Sequence, residues 1–511
     1  MKLIKKTIAL FVVFISLFSI LGLTACNKSD KLRVFVFAQS HEAAIYSELI
    51  KNFEQETGIK VEFTVEEENY FDLLNSSLQT QTAADVFYVR PGDVRAHANQ
   101  KTVVNLTESG LITEDDVKDI WKQAIDFFRY DGTNNNQGDI YALPKDYSQY
   151  VLGFNSKLIF DNENVLAKLE PYIYDQETHG AWENWQGNDL IIKNRQGVEV
   201  GTYKVKLPGL PGQKDADGND IVFTYDEFGA LAYLCSNNTA DALKPVYGTA
   251  FWEDMCLMAY VWGNGGEFLK DNNTKVNFDS PEFKQAYSAF LELNSKWYAH
   301  AIGSTKTGYE LFTEGTLVFY PVGTWDIGYF NTYTNTLDYV LMPWPCSNAY
   351  KNSSMADRQD KWKARVDSVG YGIYSGSKKK DQAIQFIKYL SLSEEGQQFL
   401  VQSGAQIPNI ESMAKGAYLS NQIKNKDGQI LEPENKQLLL DVAAAEEGNG
   451  HVGTTVYTYN DEWFSEFFTG AAAKLWDTSA GYTVESYVAE YAPKAQNKLN
   501  EAIELEQDQK Q

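Results

Sequence analysis

Gly138-Asp-Ile-Tyr-Ala-Leu-Pro-Lys-Asp-Tyr-Ser-Gln-Tyr-Val-Leu-Gly-Phe-Asn-Ser-Lys-Leu-Ile159 reads as the place where the chain leaves one lobe and enters another. A short apolar strand ends at Pro144, and the polar groups Lys145, Asp146, Tyr147 and Ser148 follow. Tyr150 to Phe154 then resume a strand pattern, and Asn155 with Ser156 can cap a helix. Polar side chains set between two strands, without a Gly-rich loop, suit a crossing that faces a cleft. A plain surface turn would read similarly, so the flanking segments must decide.

On the N-terminal side, Leu32 to Phe37 is a strand and Ala43 to Glu56 a helix ended at Gly58. Ile59 to Val65 alternates apolar and polar residues, completing a βαβ unit, which implies a parallel sheet. A helix near Tyr70–Leu78 precedes the buried-type strand Ala84 to Val89. Residues 32–110 therefore read as a doubly wound α/β lobe. Ligands in such sheets sit beyond the carboxyl ends of strands, which here carry Gln39, Ser40, His41 and Glu42 after one strand, and Arg90 and Asp93 after another.

On the C-terminal side, Phe251-Trp252-Glu253-Asp254 opens a helix that runs to Trp262, and Ser280-Pro281 opens another by the N-cap and N1 rules. Leu317 to Pro321 is a strand with Trp325 beyond its end. Gly370 to Tyr374 is a further strand, followed by a helix with Ala383, Phe386, Ile387 and Leu390 on one face. Within 165–225, Gly201–Leu207 and Asp220–Thr224 can form a hairpin. Asp215, Asp217 and Asn219 have the alternate spacing of a calcium loop, but Asp220 stands where that loop needs Gly and Asp226 where it needs Glu. A polar turn without metal is the expectation there.

Composition narrows the function classes. Lys2, Lys5 and Lys6 precede an apolar run, Ala9 to Leu23, that is short for a membrane span and suits a signal sequence. It ends in Leu23-Thr24-Ala25-Cys26, which resembles the bacterial lipobox with Cys26 as the lipidated residue. Removing residues 1–25 takes away three Lys and deepens a net charge of −24, which argues against nucleic acid as a partner. The 14% aromatic content asks for a role beyond core packing. Cys235, Cys256 and Cys346 cannot all pair. Cys235–Cys256 is a possible disulfide, buried free thiols being the other reading. Five scattered His give no metal centre.

Phe53-Glu-Gln-Glu-Thr-Gly-Ile-Lys-Val61 resembles a signature of the family 1 extracellular solute-binding proteins of bacterial ABC transporters, to which maltose-binding protein and other sugar binders belong. Four later blocks agree in order: Ile140–Pro144 with Gly153–Leu158, Leu311–Gly315 through Gly323-Thr324-Trp325, Gly370–Ile373 through Phe386–Leu390, and Gly404–Pro408. The resemblance implies a two-lobed α/β periplasmic-binding-protein-like fold, each lobe a sheet flanked by helices, joined by three hinge crossings. Its expected parts are a signal peptide (1–25), a lipidated tether (26–31), an N-terminal lobe (32–147 and 345–391), a C-terminal lobe (148–344 and 392–505, with an insert at about 165–225) and a disordered tail (506–511). The second and third crossings are placed near 342 and 391.

The implied function is capture of a carbohydrate, an oligosaccharide by preference, through hinge closure, and delivery to the permease subunits of an ABC importer. The protein would be a monomer, lipid-anchored through Cys26 on the outer face of the cell membrane. No cofactor, metal or catalysis is expected. An oligopeptide binder and, further off, a surface glycoside hydrolase are the alternatives, though no nucleophile elbow or phosphate loop is present. Sugars offer apolar CH faces and hydroxyl edges, so their sites need flat rings with carboxylates and Arg around them. The resemblance puts Trp325, Trp252, Glu253 and Trp463 against the ligand, with Asp146, Tyr147 and Ser148 at the cleft floor. Gln39, His41, Glu42, Arg90 and Asp93 are the first-lobe candidates.

Overall fold

Leu32, Val34 and Val36 are fully buried while Arg33 and Phe37 face outward, the two-residue rhythm of a strand with one packed face. In the computed structural model this strand, β1 (Leu32–Phe37), leads into helix α1 (Ser40–Thr57). Gly58, at φ +74°, ends the helix where a side chain would be strained, and β2 (Val61–Glu66) returns parallel to β1. Helix α2 (Tyr70–Gln79) and β3 (Val86–Val89) repeat the unit on the other side of β1. The structure describes residues 30–37, 40–66, 69–237, 239, 242–330, 337–403, 407–424, 430, 433, 435–443, 449–452 and 460–509. The signal sequence, Cys26 and Gln39 lie outside the described residues, as do the side chains of His41 and Glu42. Among the described residues no helix is long and apolar enough to cross a membrane.

Beyond α3 (Val94–Asn99), β4 (Ala142–Pro144) closes the first sheet, and the chain enters β5 (Ser148–Asn155), the centre of a second sheet. An outlying hairpin, β6 (Asn188–Lys193) with β7 (Glu199–Val205), precedes α4 (Tyr225–Cys235), β8 (Tyr247–Thr249), α5 (Glu253–Gly263) and α6 (Pro281–Ser295). Strands β9 (Leu317–Gly323) and β10 (Tyr339–Met342) both run antiparallel to β5, and β11 (Ala364–Asp367) pairs its start. Strand β12 (Gly370–Ile373) lies in the first sheet, between β3 and β4. Helices α7 (Lys380–Leu392) and α8 (Glu394–Ser403) follow. The C-terminal part holds α9 (Gln437–Ala443), β13 (Gly450–Val452), α10 (Glu462–Phe468) and α11 (Val484–Gln509). The sheet orders are β2-β1-β3-β12-β4 and β8-β9-β5-β11-β13, with β10 also on β5.

Two boundaries differ from the sequence reading. The chain does not return to the first lobe near 342. Cys346 exchanges backbone hydrogen bonds with Phe223 and Tyr225, Arg358 is buried against Glu227, and β11 extends the second sheet. The second crossing is Asp367–Gly370. Residues 394–403 and 407–421 likewise stay with the first lobe: Ile410 bridges Ile120, Trp121 Nε1 donates to the Pro408 carbonyl at 3.0 Å, and Asn409 Nδ2 donates to the carbonyls of Pro144 and Lys145. Only by Asn435, which hydrogen-bonds the backbone of Leu341, is the chain back in the second lobe. Both errors have one cause. A strand end or a helix cap is local, whereas the lobe a segment joins is set by partners hundreds of residues away.

Two smaller expectations also fail. β7 pairs with β6 rather than with Asp220–Thr224, because Asn194 Oδ1 accepts from Gln196 and Val198 and Gly197 sits at φ +76°, a turn tight enough to close that hairpin. Asp215 instead closes a polar turn, its carboxylate accepting from the Asp217 and Asn219 backbone. The tail is not disordered from 506: α11 runs to Gln509, and Glu506 is buried against Arg95. Cys235, Cys256 and Cys346 are all free and buried.

Candidate functional site

Three half-buried rings gather where β8 and β9 end and β5 begins. Gly323, the last residue of β9, pairs with Tyr150 of β5. A Cβ at Gly323 would lie 2.4 Å from the Trp325 indole, so this Gly lets the ring fold back over the strand end. The Asp326 carboxylate accepts from Gly323 N at 2.9 Å and fixes that turn. Tyr150 meets Trp325 edge-on at 4.7 Å and 80°, and Trp252, the N-cap of α5, at 6.1 Å and 77°. Trp344 Nε1 donates to the Tyr150 carbonyl and holds the strand from behind. These are the T-shaped contacts aromatic quadrupoles prefer.

The first lobe contributes a charged edge. Arg90 follows β3 and binds Asp93 through two nitrogens, at 2.7 and 3.0 Å, with its guanidinium 4.0 Å over the Phe71 ring. Asp461, at the head of α10, lies 3.8 Å from the same guanidinium. Burial opposes the Arg90 charge, but Asp93, Asp461 and Asp367 outweigh it and raise its pKa further. Asp367 ion-pairs with Arg365 on β11, and Arg365 Nε is buried without a hydrogen-bond partner. Burial drives the Tyr150 hydroxyl well above its ordinary pKa, with Asp326 adding to the rise and Arg365 and Asp367 also acting on it. Asp367 thus acts on both Arg90 and Tyr150. The crossing between them starts at Asp367, which pairs with Ser148 two residues before Tyr150, and ends at Gly370, which pairs with Val89 next to Arg90.

The other predicted residues whose side chains are described are spent elsewhere. Tyr147 packs in the first-lobe core against Trp121 and Phe127, and its hydroxyl donates to Gln123 Oε1. Asp146 is buried, ion-paired with Lys145 at 3.1 Å, and accepts from Ser148 Oγ at 2.8 Å, while Ser368 Oγ donates to its backbone carbonyl. These residues weld the first two crossings together and present no free group to a solute. Glu253 points away from Trp252, accepting from Tyr287 Oη at 2.8 Å inside the second lobe, and burial lifts its pKa to about 7. Trp463 is fully buried against Phe278, so its face is taken by the core. Here the amphipathic spacing of α10 meant packing, not a platform.

Tyr150, Phe71, Arg365, Asp367 and Asp461 were not singled out from sequence. For three of them the strand pattern carries a signal. Tyr150 is the one residue of β5 that is not buried, and Arg365 and Asp367 alternate with buried Ala364 and Val366. Both patterns mark a strand face turned toward open space.

Residues 48–428 match the family described as bacterial extracellular solute-binding protein. No curated protein sequence matches the chain. Among solved structures the chain is similar to an ABC substrate-binding protein from Listeria monocytogenes in complex with cycloalternan, at 17% identity over 93% of this chain and 98% of that one, with a TM-score of 0.65. It is similar to an ABC transporter solute-binding protein from Thermotoga lettingae bound with alpha-D-tagatose, at 18% identity, 92% and 100% coverage and a TM-score of 0.64. A maltose/maltodextrin-binding domain from Bdellovibrio bacteriovorus bound to maltotriose gives 16%, 93% and 100%, and 0.61. At these identities the likeness is one of fold: two lobes, each a sheet flanked by helices.

Proposed function

The chain belongs to the bacterial extracellular solute-binding proteins, a family of binders rather than enzymes, and from that premise we propose that it captures an oligosaccharide by hinge closure for an ABC importer. The carrying observation is the Tyr150–Trp252–Trp325 cluster together with the Arg90–Asp93 and Arg365–Asp367 ion pairs on either side of the Asp367–Gly370 crossing. Rings take the apolar faces of a neutral sugar, and charged donors and acceptors take its hydroxyl edge. The solved structures named above are bound to cycloalternan, tagatose and maltotriose, which supports a carbohydrate ligand, two of the three being oligosaccharides. Hinge closure would remove water from around the ligand and complete the site from both lobes.

Calorimetric titration against a panel of oligosaccharides, with oligopeptides as the comparison, tests this. Heat from peptides and none from sugars would overturn it. Trp325→Ala is expected to weaken sugar binding by about 2 kcal/mol, roughly thirtyfold, as loss of a central aromatic anchor does. Unchanged affinity in a folded variant would remove Trp325 from the site.

Lys2 to Cys26 supports export and lipid anchoring, leaving the binder tethered on the outer face of the membrane. In cells fed an alkyne-bearing fatty acid, the parent is expected to take up label in the membrane fraction and Cys26→Ser to lose it. Equal labelling of the two would exclude Cys26 as the anchor.

A further inference from the structure

The C-terminal helix belongs to one lobe at its root and to the other at its tip. Near the root of α11, Tyr487 Oη donates to the Phe467 carbonyl, and Gln496 binds both Thr274 O and Val276 N of the second lobe. Ten residues further, about 15 Å at the helical rise, Glu506 reaches the first lobe. There Arg95 of α3 binds it with two nitrogens, Nε to Oε2 at 2.5 Å and Nη2 to Oε1 at 2.7 Å. Arg95 Nη1 donates to the Thr133 carbonyl at 2.9 Å and its guanidinium lies over the Tyr130 ring at 5.5 Å, so the cation is seated in the first lobe before Glu506 arrives. Both residues are more than nine-tenths buried. One helical turn away, Arg90 meets Asp461 of the second lobe at 3.8 Å. Each time the cation comes from residues 90–95 and the carboxylate from the segment after 460.

We propose that Arg95–Glu506, assisted by Arg90–Asp461, is an interlobe latch that holds the unliganded chain toward closure. This rests on the hinge-closure reading. A bidentate pair removed from water resists separation, because parting it leaves each charge in a pocket shaped for its partner. The Arg90–Asp461 pair is half exposed and acts as the weaker, salt-sensitive part. In a hinged binder only the closable fraction takes solute, and the apparent dissociation constant rises as that fraction falls. A latch closed in advance would therefore raise affinity without touching the sugar.

The test is small-angle X-ray scattering of the unliganded mature protein. Arg95→Met with Glu506→Met replaces the buried pair by apolar side chains of similar length, which folds tolerate better than a lone charge. That double variant is expected to have a larger radius of gyration than the parent with unchanged circular dichroism. Asp461→Asn, at a half-exposed position where the change does not threaten folding, is expected to shift it in the same direction by less. Parent-like radii in both variants would overturn the latch, and Asp461→Asn alone decides if the double variant fails to fold. A parent that ignored every oligosaccharide would sink the sugar reading while leaving this comparison intact.

Discussion

Replacing Arg358 by Met is expected to lower the free energy of unfolding by about 3–5 kcal/mol. Arg358 is wholly buried, with Nη1 donating to Glu227 Oε2 at 2.6 Å and to the Val222 carbonyl at 2.9 Å, and Nη2 donating to Glu227 Oε1 at 3.1 Å and to the Lys351 carbonyl at 2.9 Å. Its removal strands a carboxylate that is only 5% exposed and that, among the described residues, otherwise accepts only the Thr224 amide, as part of the capping box of α4. Glu227→Gln should cost a similar amount by leaving the guanidinium uncompensated. The double variant should recover much of the loss, since no buried charge then remains. Against a usual total of about 5–15 kcal/mol the single change is severe. Urea denaturation followed by Trp fluorescence reads it, Trp182 lying 5.5 Å under the guanidinium. A loss below about 1 kcal/mol would mean that the pair is solvated.

Arg358 also shows what the sequence could and could not reveal. The strands were legible because their evidence is local: Leu32, Val34 and Val36 alternate, Gly58 stops a helix, and Pro144 stops a strand. Met355-Ala-Asp-Arg-Gln-Asp-Lys361 looks like a solvated charge run, and its one buried cation answers a Glu 131 residues earlier. The lobe of residues 345–367 therefore lay outside any local pattern. The candidate site divides in the same way. Trp325 was singled out because it follows a strand end, and Trp252 because it opens a helix matching a ligand-contacting segment of the family. Tyr147, Asp146 and Glu253 were chemically suitable but are already consumed by Gln123, Lys145 and Tyr287. Residue type marks what a side chain could do; its neighbours, set by the fold, decide whether it is available.

Glu253 carries the second large effect, and its direction depends on pH. Burial behind Trp252 raises its pKa to about 7 from 4.5, the Tyr287 hydrogen bond opposing the rise. The helix N-terminus favours the anion by only about 0.3–1 kcal/mol, too little to offset a shift worth about 3 kcal/mol. Below pH 4.5 the group is protonated in both states and its contribution is complete. Between pH 4.5 and 7 the unfolded chain releases the proton while the folded chain keeps it, so the folded state binds more protons and stability falls as pH rises. Above about pH 7 the buried site must hold an anion and the contribution is lost. Glu253→Gln keeps an acceptor for Tyr287 and cannot ionise. The variant should therefore match the parent near pH 4.5 and exceed it by about 3 kcal/mol at pH 8. Denaturation at the two pH values measures this, and equal pH slopes for parent and variant would show that Glu253 does not titrate in that window. Because Trp252 caps the helix that Glu253 begins, the same ionisation strains the core directly behind a ring of the proposed sugar site. Sugar affinity should then weaken above pH 7 in the parent and hold in the variant, which ties a stability change in the second lobe to the function proposed for its surface.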